Sequence, residues 1–348
     1  MFMKKFIFLV TVIFTSNIYA NSDIYEFINR VESKSSSFHN FAFAVIKDGE
    51  VIHKSTHGYL KIREKKQVDH HSMFSVASVS KSITALAIAK LVDEGRLNFD
   101  ETVVLPCLKN PTTLREILSQ TTGYKFTGNA DLNNNINRTQ LLKKLQQQNP
   151  VCKSCYFYSN TVFSLVDEVL QQKGMSLEYA INNLNKALNT NEIQLAPVNK
   201  DLDIVSRHKR RKVLAVSNYQ LTVPAAAGVY VSLDAGIEVL KVISGVKKDV
   251  ISKDTLDQIF TIHVQNNDVS KFRVKFPRDI KSYYGLGFRI LKNQNESTMI
   301  FHSGHINGMF AFIGFIPNKN IGVIFMESGK KFKQNIHILE DLIKLGLD

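Results

Sequence analysis

The sequence is poor in the residues that mark specialised chains. Three cysteines in 348 residues are too few to staple a disulfide scaffold, and a chain this long can bury an apolar core without one. Seven prolines and seventeen glycines exclude collagen-like and low-complexity chains. Apolar residues at 44% and charged residues at 22% are ordinary globular proportions, so disorder is excluded as the main state. No internal repeat is visible. Beyond the first twenty residues no apolar stretch reaches the roughly 20 residues that a membrane span needs. The best, Leu221 to Val231, is short and holds Pro224. Also missing are a G-x-S-x-G elbow, an H-E-x-x-H pair, a P-loop and a G-x-G-x-x-G after a strand. Those absences count against α/β-hydrolases, zinc proteases, nucleoside triphosphatases and dinucleotide enzymes.

What is abundant is positive charge. Lys and Arg number 44 against 31 Asp and Glu, a net charge of +13, with an isoelectric point near 9.5. Such a surplus points to anionic surroundings: nucleic acid, a membrane surface or a cell-wall polymer. The N-terminus narrows the choice. Lys4 and Lys5 precede an apolar run, Phe6 to Phe14, which Ser16 and Asn17 break before the small residue Ala20. This is the pattern of a signal peptide over residues 1–20; an uncleaved anchor is the alternative. No cysteine follows the run, which argues against a lipoprotein. The expectation is an exported protein, periplasmic or secreted, without a stable transmembrane segment once the leader is gone. Loss of Lys4 and Lys5 leaves about +11. Export removes nucleic acid from the expected partners and leaves an anionic envelope polymer. The run Arg207-His208-Lys209-Arg210-Arg211-Lys212 is its candidate contact, and an exposed solvated loop is the plainer account of the same residues. Cys152 and Cys155 form a C-x-x-C with no second pair and no His pair to complete a metal site. A structural disulfide, local or to Cys107, is expected, with free thiols as the alternative.

Apolar periodicity outlines the elements. A helix is predicted over Ser22 to Ser35, then strands Phe41 to Ile46 and Val51 to Tyr59 about an Asp48-Gly49 turn. The most apolar helix runs from Ser78 to Glu94 and stops at Gly95. Further helices are predicted over Leu114 to Gln120, capped by Thr113, around Leu141 to Leu145, over Asn160 to Lys173, Ser176 to Leu188 and Asp234 to Val242. Strands follow at Tyr284 to Leu291, Met299 to His302, Phe310 to Ile316 and Ile321 to Glu327, and a helix over Lys333 to Leu345 closes the chain. Strands at both ends and helices between them predict an α+β fold. One antiparallel sheet is built from both termini and flanked by helices, with an all-helical subdomain inserted. The expected α/β part covers about 21–85 and 222–348, the helical part about 86–221. Tyr283 and Tyr284 are candidates for a cleft wall, although aromatic residues beside strands more often belong to the core.

The chemistry starts at Ser78-Val79-Ser80-Lys81. On a helix, positions i and i+3 share a face about 4.5 Å apart along the axis. A serine hydroxyl needs a base to take its proton, and a lysine in apolar surroundings can be lowered enough to serve. The backbone N–H of Ser78 at the helix start suits an oxyanion. Alone, S-x-x-K is a weak signal, equally an N-cap serine with a snorkelling lysine. Two further motifs support it. Tyr158-Ser159-Asn160 brings a phenolic acid or base and an amide that can orient a substrate. His302-Ser303-Gly304 follows an apolar strand, and its small residues let a substrate backbone lie close.

In this order and context the residues carry a resemblance. FSVASVSKSITALAIAKLVDEGRLNFDETV, TTLREILSQTTGY, YFYSNTVFSLVDEVLQQKGMSLEYAI, VPAAAGVYVSLDAGIEVL, YGLGFRI and FHSGHINGMFAFIGFIPNKNIGVIF span nearly the whole chain after its leader. The sequence resembles the serine β-lactamase and penicillin-binding protein superfamily, nearest its class C β-lactamase and DD-peptidase branch. The resemblance implies Ser78 as the acylated nucleophile, Lys81 as base or relay, Tyr158 as partner base and Asn160 on the substrate amide. His302 stands where many members carry the lysine of Lys-Thr-Gly, followed by Ser303 and Gly304, and the N–H of His305 would complete the oxyanion hole. No cofactor and no metal are implied. The implied activity is that of an exported serine hydrolase acting on peptidoglycan-type peptides, β-lactams or esters. Histidine is near neutral at pH 7, which weakens the case for a strong β-lactamase and favours an esterase or a peptidase of altered specificity. A low-turnover binding or regulatory envelope protein on the same fold is the alternative reading; the intact motif residues speak against it.

Overall fold

A computed structural model describes residues 22–34, 40–209, 212–266, 279–329 and 336–347. The expected leader, residues 1–20 with Lys4 and Lys5, lies outside them, as do Arg210 and Arg211 of the basic run.

The run Asn40–Lys47 alternates Phe41, Phe43 and Val45 with Ala42, Ala44 and Ile46, and all six are buried. A strand apolar on both faces belongs inside a sheet with cover on each side. This strand, β1, turns at Asp48-Gly49, both at positive φ, into β2 (Glu50–His57). The remaining strands come from the far end of the chain: β3 (Val264–Gln265), β4 (Lys281–Tyr284), β5 (Arg289–Lys292), β6 (Thr298–Ile306), β7 (Met309–Ile316) and β8 (Ile321–Ser328). They form one eight-stranded antiparallel sheet in the order β3-β4-β5-β6-β7-β8-β1-β2. Asn40 pairs with Ser328 and Lys47 with Ile321, so the expected sheet from both ends of the chain is the one observed.

The period of two sorts the side chains into two cores. Phe43, Phe301, Phe312 and Phe325 lie beneath α1 (residues 22–34), which brings Ile24, Phe27 and Val31, and α4 (Ile336–Leu347), which brings Leu342. On the other face Ala42, Ala44, Ile324 and Met326 join the larger core with α2 (Ser80–Asp93) and α3 (Leu233–Ile243). Gly236 lets α3 press on the sheet, for a Cβ there would lie 2.3 Å from Ile324 Cδ1. Helices at Leu114–Leu118, Arg138–Gln146 and Leu177–Leu188 lie between the two groups of strands in the chain. A small sheet of Phe74–Ser75, Val229–Val231 and Ile193–Leu195 sits among them.

Four expectations change in detail. The helix predicted over 160–173 is two helices, Asn160–Phe163 and Val166–Gln172; Arg138 Nη2 takes the Ser164 carbonyl at 2.7 Å where they part. The strand predicted over 284–291 is β4 and β5 about a Gly285-Leu286-Gly287 reversal, in which Leu286 N–H reaches Ile259 O and Gly287 N–H reaches Leu118 O. The helix after Thr113 stops at Leu118, and Gln120 takes a left-handed φ of 64°. The basic run is not simply a solvated loop. Arg207–Lys209 pairs with Lys212–Leu214, and both Arg207 and His208 are buried. Arg207 donates to the carbonyls of Asn307 and Ala215, and His208 accepts from Ile62 N–H at 3.1 Å. The disulfide is the local one, Cys152–Cys155. Cys107 is a buried thiol that burial pushes up to about 11.

Candidate active site

Ser78 sits on a single 3₁₀ turn, Ala77–Val79, that leads into α2. Ala77 adopts φ 46° there, a conformation that costs an L-residue of order 1–3 kcal/mol and persists only where its surroundings enforce it. The enforcing neighbour is β6. A Cβ on Gly304 would lie 2.3 Å from the Val76 carbonyl oxygen and 2.6 Å from Ser78 N, so only glycine lets the strand lie against the turn. Ser78 itself stays partly exposed.

Three residues on from Ser78, in the first turn of α2, Lys81 is wholly buried. Its Nζ donates to Asn160 Oδ1 at 2.7 Å, to the Ala226 carbonyl at 3.0 Å and to Ser78 Oγ at 3.3 Å. It also lies 4.7 Å from the centre of the Tyr158 ring. Burial pulls the ammonium below its ordinary value, Tyr158 works against this, and Arg289 adds to it. Tyr158 arrives on the extended segment after the disulfide loop. The next residue, Ser159, caps helix Asn160–Phe163 by accepting from Val162 N–H at 3.0 Å. Burial alone would raise the Tyr158 phenol, but the charges of Lys81 and Arg289 outweigh it and hold the group below its ordinary value.

The structure thus brings Ser78, Lys81, Tyr158 and Asn160 together, as read from the sequence. The third motif is divided. Gly304 backs the nucleophile turn, and His305 borders, with Ser78, Asn129, Asn160, Tyr219 and Asn307, a pocket of about 330 Å³. His302 does not reach that pocket. It is wholly buried, with Nδ1 2.9 Å from the Ser303 carbonyl and Nε2 3.3 Å from the Tyr284 hydroxyl. A carbonyl only accepts, so Nδ1 carries the proton and Nε2 accepts from Tyr284. Burial, with Arg289 and Lys81 nearby, holds His302 well below its ordinary value, so it is neutral. Burial and the neighbouring tyrosines hold Tyr284 well above its own, so it keeps its proton.

The sequence did not single out Arg289. It opens β5 directly after the glycine reversal, 5.0 Å from the Tyr158 ring centre and 5.7 Å from that of Tyr284. Burial works against its charge, but Tyr156, Tyr158 and Tyr284 hold it above its ordinary value. The only local signal is Gly287, at φ 71°, where a Cβ would lie 2.6 Å from the Lys81 carbonyl. Among the described residues no three His, Cys, Asp or Glu side chains converge as metal ligands, and no helix is long and apolar enough to cross a membrane.

A family model described as beta-lactamase matches residues 28–346. Protein flp of Staphylococcus aureus (strain N315) is 22% identical over 311 residues, and the chain spans only 58% of that relative's length while 81% of the chain is matched. Among solved structures, the octameric penicillin-binding protein homologue from Pyrococcus abyssi superposes with a TM-score of 0.72 at 23% identity, covering 94% of this chain and 76% of the other. A class C beta-lactamase superposes with a TM-score of 0.71 at 17% identity, covering 94% and 96%.

Proposed function

The chain belongs to the beta-lactamase family, and from that premise we propose that it is an exported serine hydrolase working through an acyl-enzyme on Ser78. The observation that carries the reading is the contact of one buried ammonium, Lys81 Nζ, with Ser78 Oγ, Asn160 Oδ1 and the face of Tyr158. Lys81 Nζ donates to Ser78, Asn160 and Ala226, and its charge and a hydrogen bond hold the Tyr158 phenol down. In this reading Lys81 is the charge that steadies a Tyr158 phenolate, and Tyr158 is the base. Ser78 Oγ forms a bond to the substrate carbonyl carbon as its proton passes to Tyr158. The oxyanion rests on the backbone N–H groups of Ser78 and His305. Tyr158 returns the proton to the leaving group. It then draws one from the water that attacks the acyl carbon and passes it to Ser78 Oγ as the acyl–Oγ bond breaks. Asn160 holds the substrate amide.

The substrate is a peptidoglycan-type peptide, a β-lactam or an ester, in that order. A neutral His302 offers no charge to a substrate carboxylate, which gives esters more weight than a lysine there would. Purified protein without its leader should be assayed on nitrocefin, a short acyl ester and a D-Ala-D-Ala peptide, which separates the three classes. A fluorophosphonate or fluorescent penicillin should label wild type and not Ser78→Ala. Equal labelling of the two would overturn the mechanism.

Contact with an anionic envelope polymer is a second proposal, supported by the surplus of positive charge. Since Arg207 and His208 are held by their own hydrogen bonds, the contact falls to Lys209, Arg210, Arg211 and Lys212. Changing those four to Gln should abolish retention on cell-wall polymer and spare hydrolysis; the opposite result sinks the idea.

A further inference from the structure

We infer that Gln120 is a positioning residue for Tyr158, gripping from a left-handed turn the peptide group that follows Tyr158 and the one that precedes Phe157. This rests on the reading of Ser78 and Tyr158 given above. Gln120 is almost wholly buried, at 1% exposure. Its main-chain carbonyl accepts from Phe157 N–H at 3.0 Å, and its side-chain Oε1 accepts from Ser159 N–H at 2.9 Å. One residue thus holds the Tyr156–Phe157 and Tyr158–Ser159 peptide groups, which flank the Phe157-Tyr158 pair. Both bonds need the backbone where it is. With φ at 64° the helix that begins at Leu114 ends, and carbonyl and side chain turn toward the same extended segment. A left-handed glutamine is strained, so the conformation persists because its surroundings enforce it.

The grip matters because Tyr158 works in a narrow place. Its ring lies 4.7 Å from the Lys81 ammonium and 5.0 Å from the Arg289 guanidinium. Ser78 adds a hydrogen bond, and the neutral Tyr284 and His302 rings close the other sides at 6.3 Å and 6.2 Å between centres. Coulomb attraction falls with distance, and a misplacement of about 1 Å can cost a factor of about 100 in rate. A Tyr158 freed to swing away from its two cations would lose both alignment with Ser78 and part of the charge that stabilises its phenolate.

Two variants separate the grip from simple packing. Gln120→Gly accepts the left-handed backbone and keeps the carbonyl, but lacks the side-chain acceptor. Gln120→Met keeps the volume and also lacks the acceptor. The probe is a fluorophosphonate, with labelling of Ser78 followed over pH and over reagent concentration. In both variants the maximal labelling rate should fall about 10- to 100-fold, with half-saturation little changed, and the limb that rises with pH should move to higher pH. A wild-type rate and pH profile in the Met variant would show that Gln120 only fills space. The same result in the Gly variant would show that only the backbone turn matters; either outcome overturns the inference. Absence of labelling in wild type would instead remove the underlying reading of Ser78.

Discussion

Arg289 decides how the phenols of this site can ionise. It faces Tyr158 and Tyr284 across nearly equal distances, yet only Tyr158 also faces Lys81, so the depressed phenol is Tyr158. A base is active when deprotonated, so the rate should rise with pH through the Tyr158 pKa. Arg289→Met should move that limb to higher pH. At pH values below the limb, the rate should fall about tenfold for each pH unit it moves; a pH–rate profile of labelling checks this. His302 is the complementary case. His302→Lys would bury a third cation beside Lys81 and Arg289, and should destabilise the fold by several kcal/mol, read as a lower urea midpoint. Ser78, Lys81, Tyr158 and Asn160 were legible because each lies in a short motif whose spacing carries meaning. Arg289 and Gln120 were not, because a residue on a neighbouring strand or turn acts through tertiary placement that no local pattern encodes. The depth of His302 was hidden for a related reason: alternation along β6 gives the face of the sheet, not the distance to solvent.

The helices around the pocket are tied by one guanidinium. Arg138 binds the Thr222 carbonyl at 2.8 Å, the Ser164 carbonyl at 2.7 Å and Glu168 at 2.6 Å, with Asp167 3.1 Å away. Burial pushes the Asp167 carboxyl up to about 7, Glu168 adds to this, and Arg138 works against it. A carboxyl raised above its unfolded value makes the native state bind the extra proton. Stability is therefore lost as pH rises from about 4 to about 7 and is level above. Asp167→Asn should escape this loss, gaining stability relative to wild type over that window; urea melts at pH 4.5 and pH 8 that differ equally for both proteins would refute it. Gly304→Ala should cost about 1–3 kcal/mol and also slow Ser78 labelling, because its methyl group collides with the nucleophile turn. The capping of the helix at Thr113 was legible, since Thr113 and Glu116 form a local reciprocal pair. The break at Ser164 was not, since the Ser164 carbonyl is held by Arg138, a contact that no local pattern announces.

For the molecule as a whole, the excess of positive charge predicts an association with anionic polymer that weakens with salt. Sedimentation with cell-wall material at low ionic strength and near 1 M salt should separate the two states, and binding indifferent to salt would discount the charge. The class of fold was legible because hydrophobic period gives strands at both ends. Strand order was not, as nothing in NFAFAVIK names IGVIFMES as its neighbour. That pairing, Asn40 to Ser328 and Lys47 to Ile321, has a consequence for how the molecule comes into being. On the ribosome β1 and β2 emerge early, with one edge open, and wait for the long stretch of chain up to Ile321–Ser328 before β8 can fill it. Contacts so distant in sequence close slowly, and an open edge invites wrong partners meanwhile. A chain ended at Asn320 should remain protease-sensitive throughout. The nucleophile is synthesised early, but the sheet that backs it is completed only when β8 arrives, so catalytic competence waits for that strand and cannot accumulate along the way.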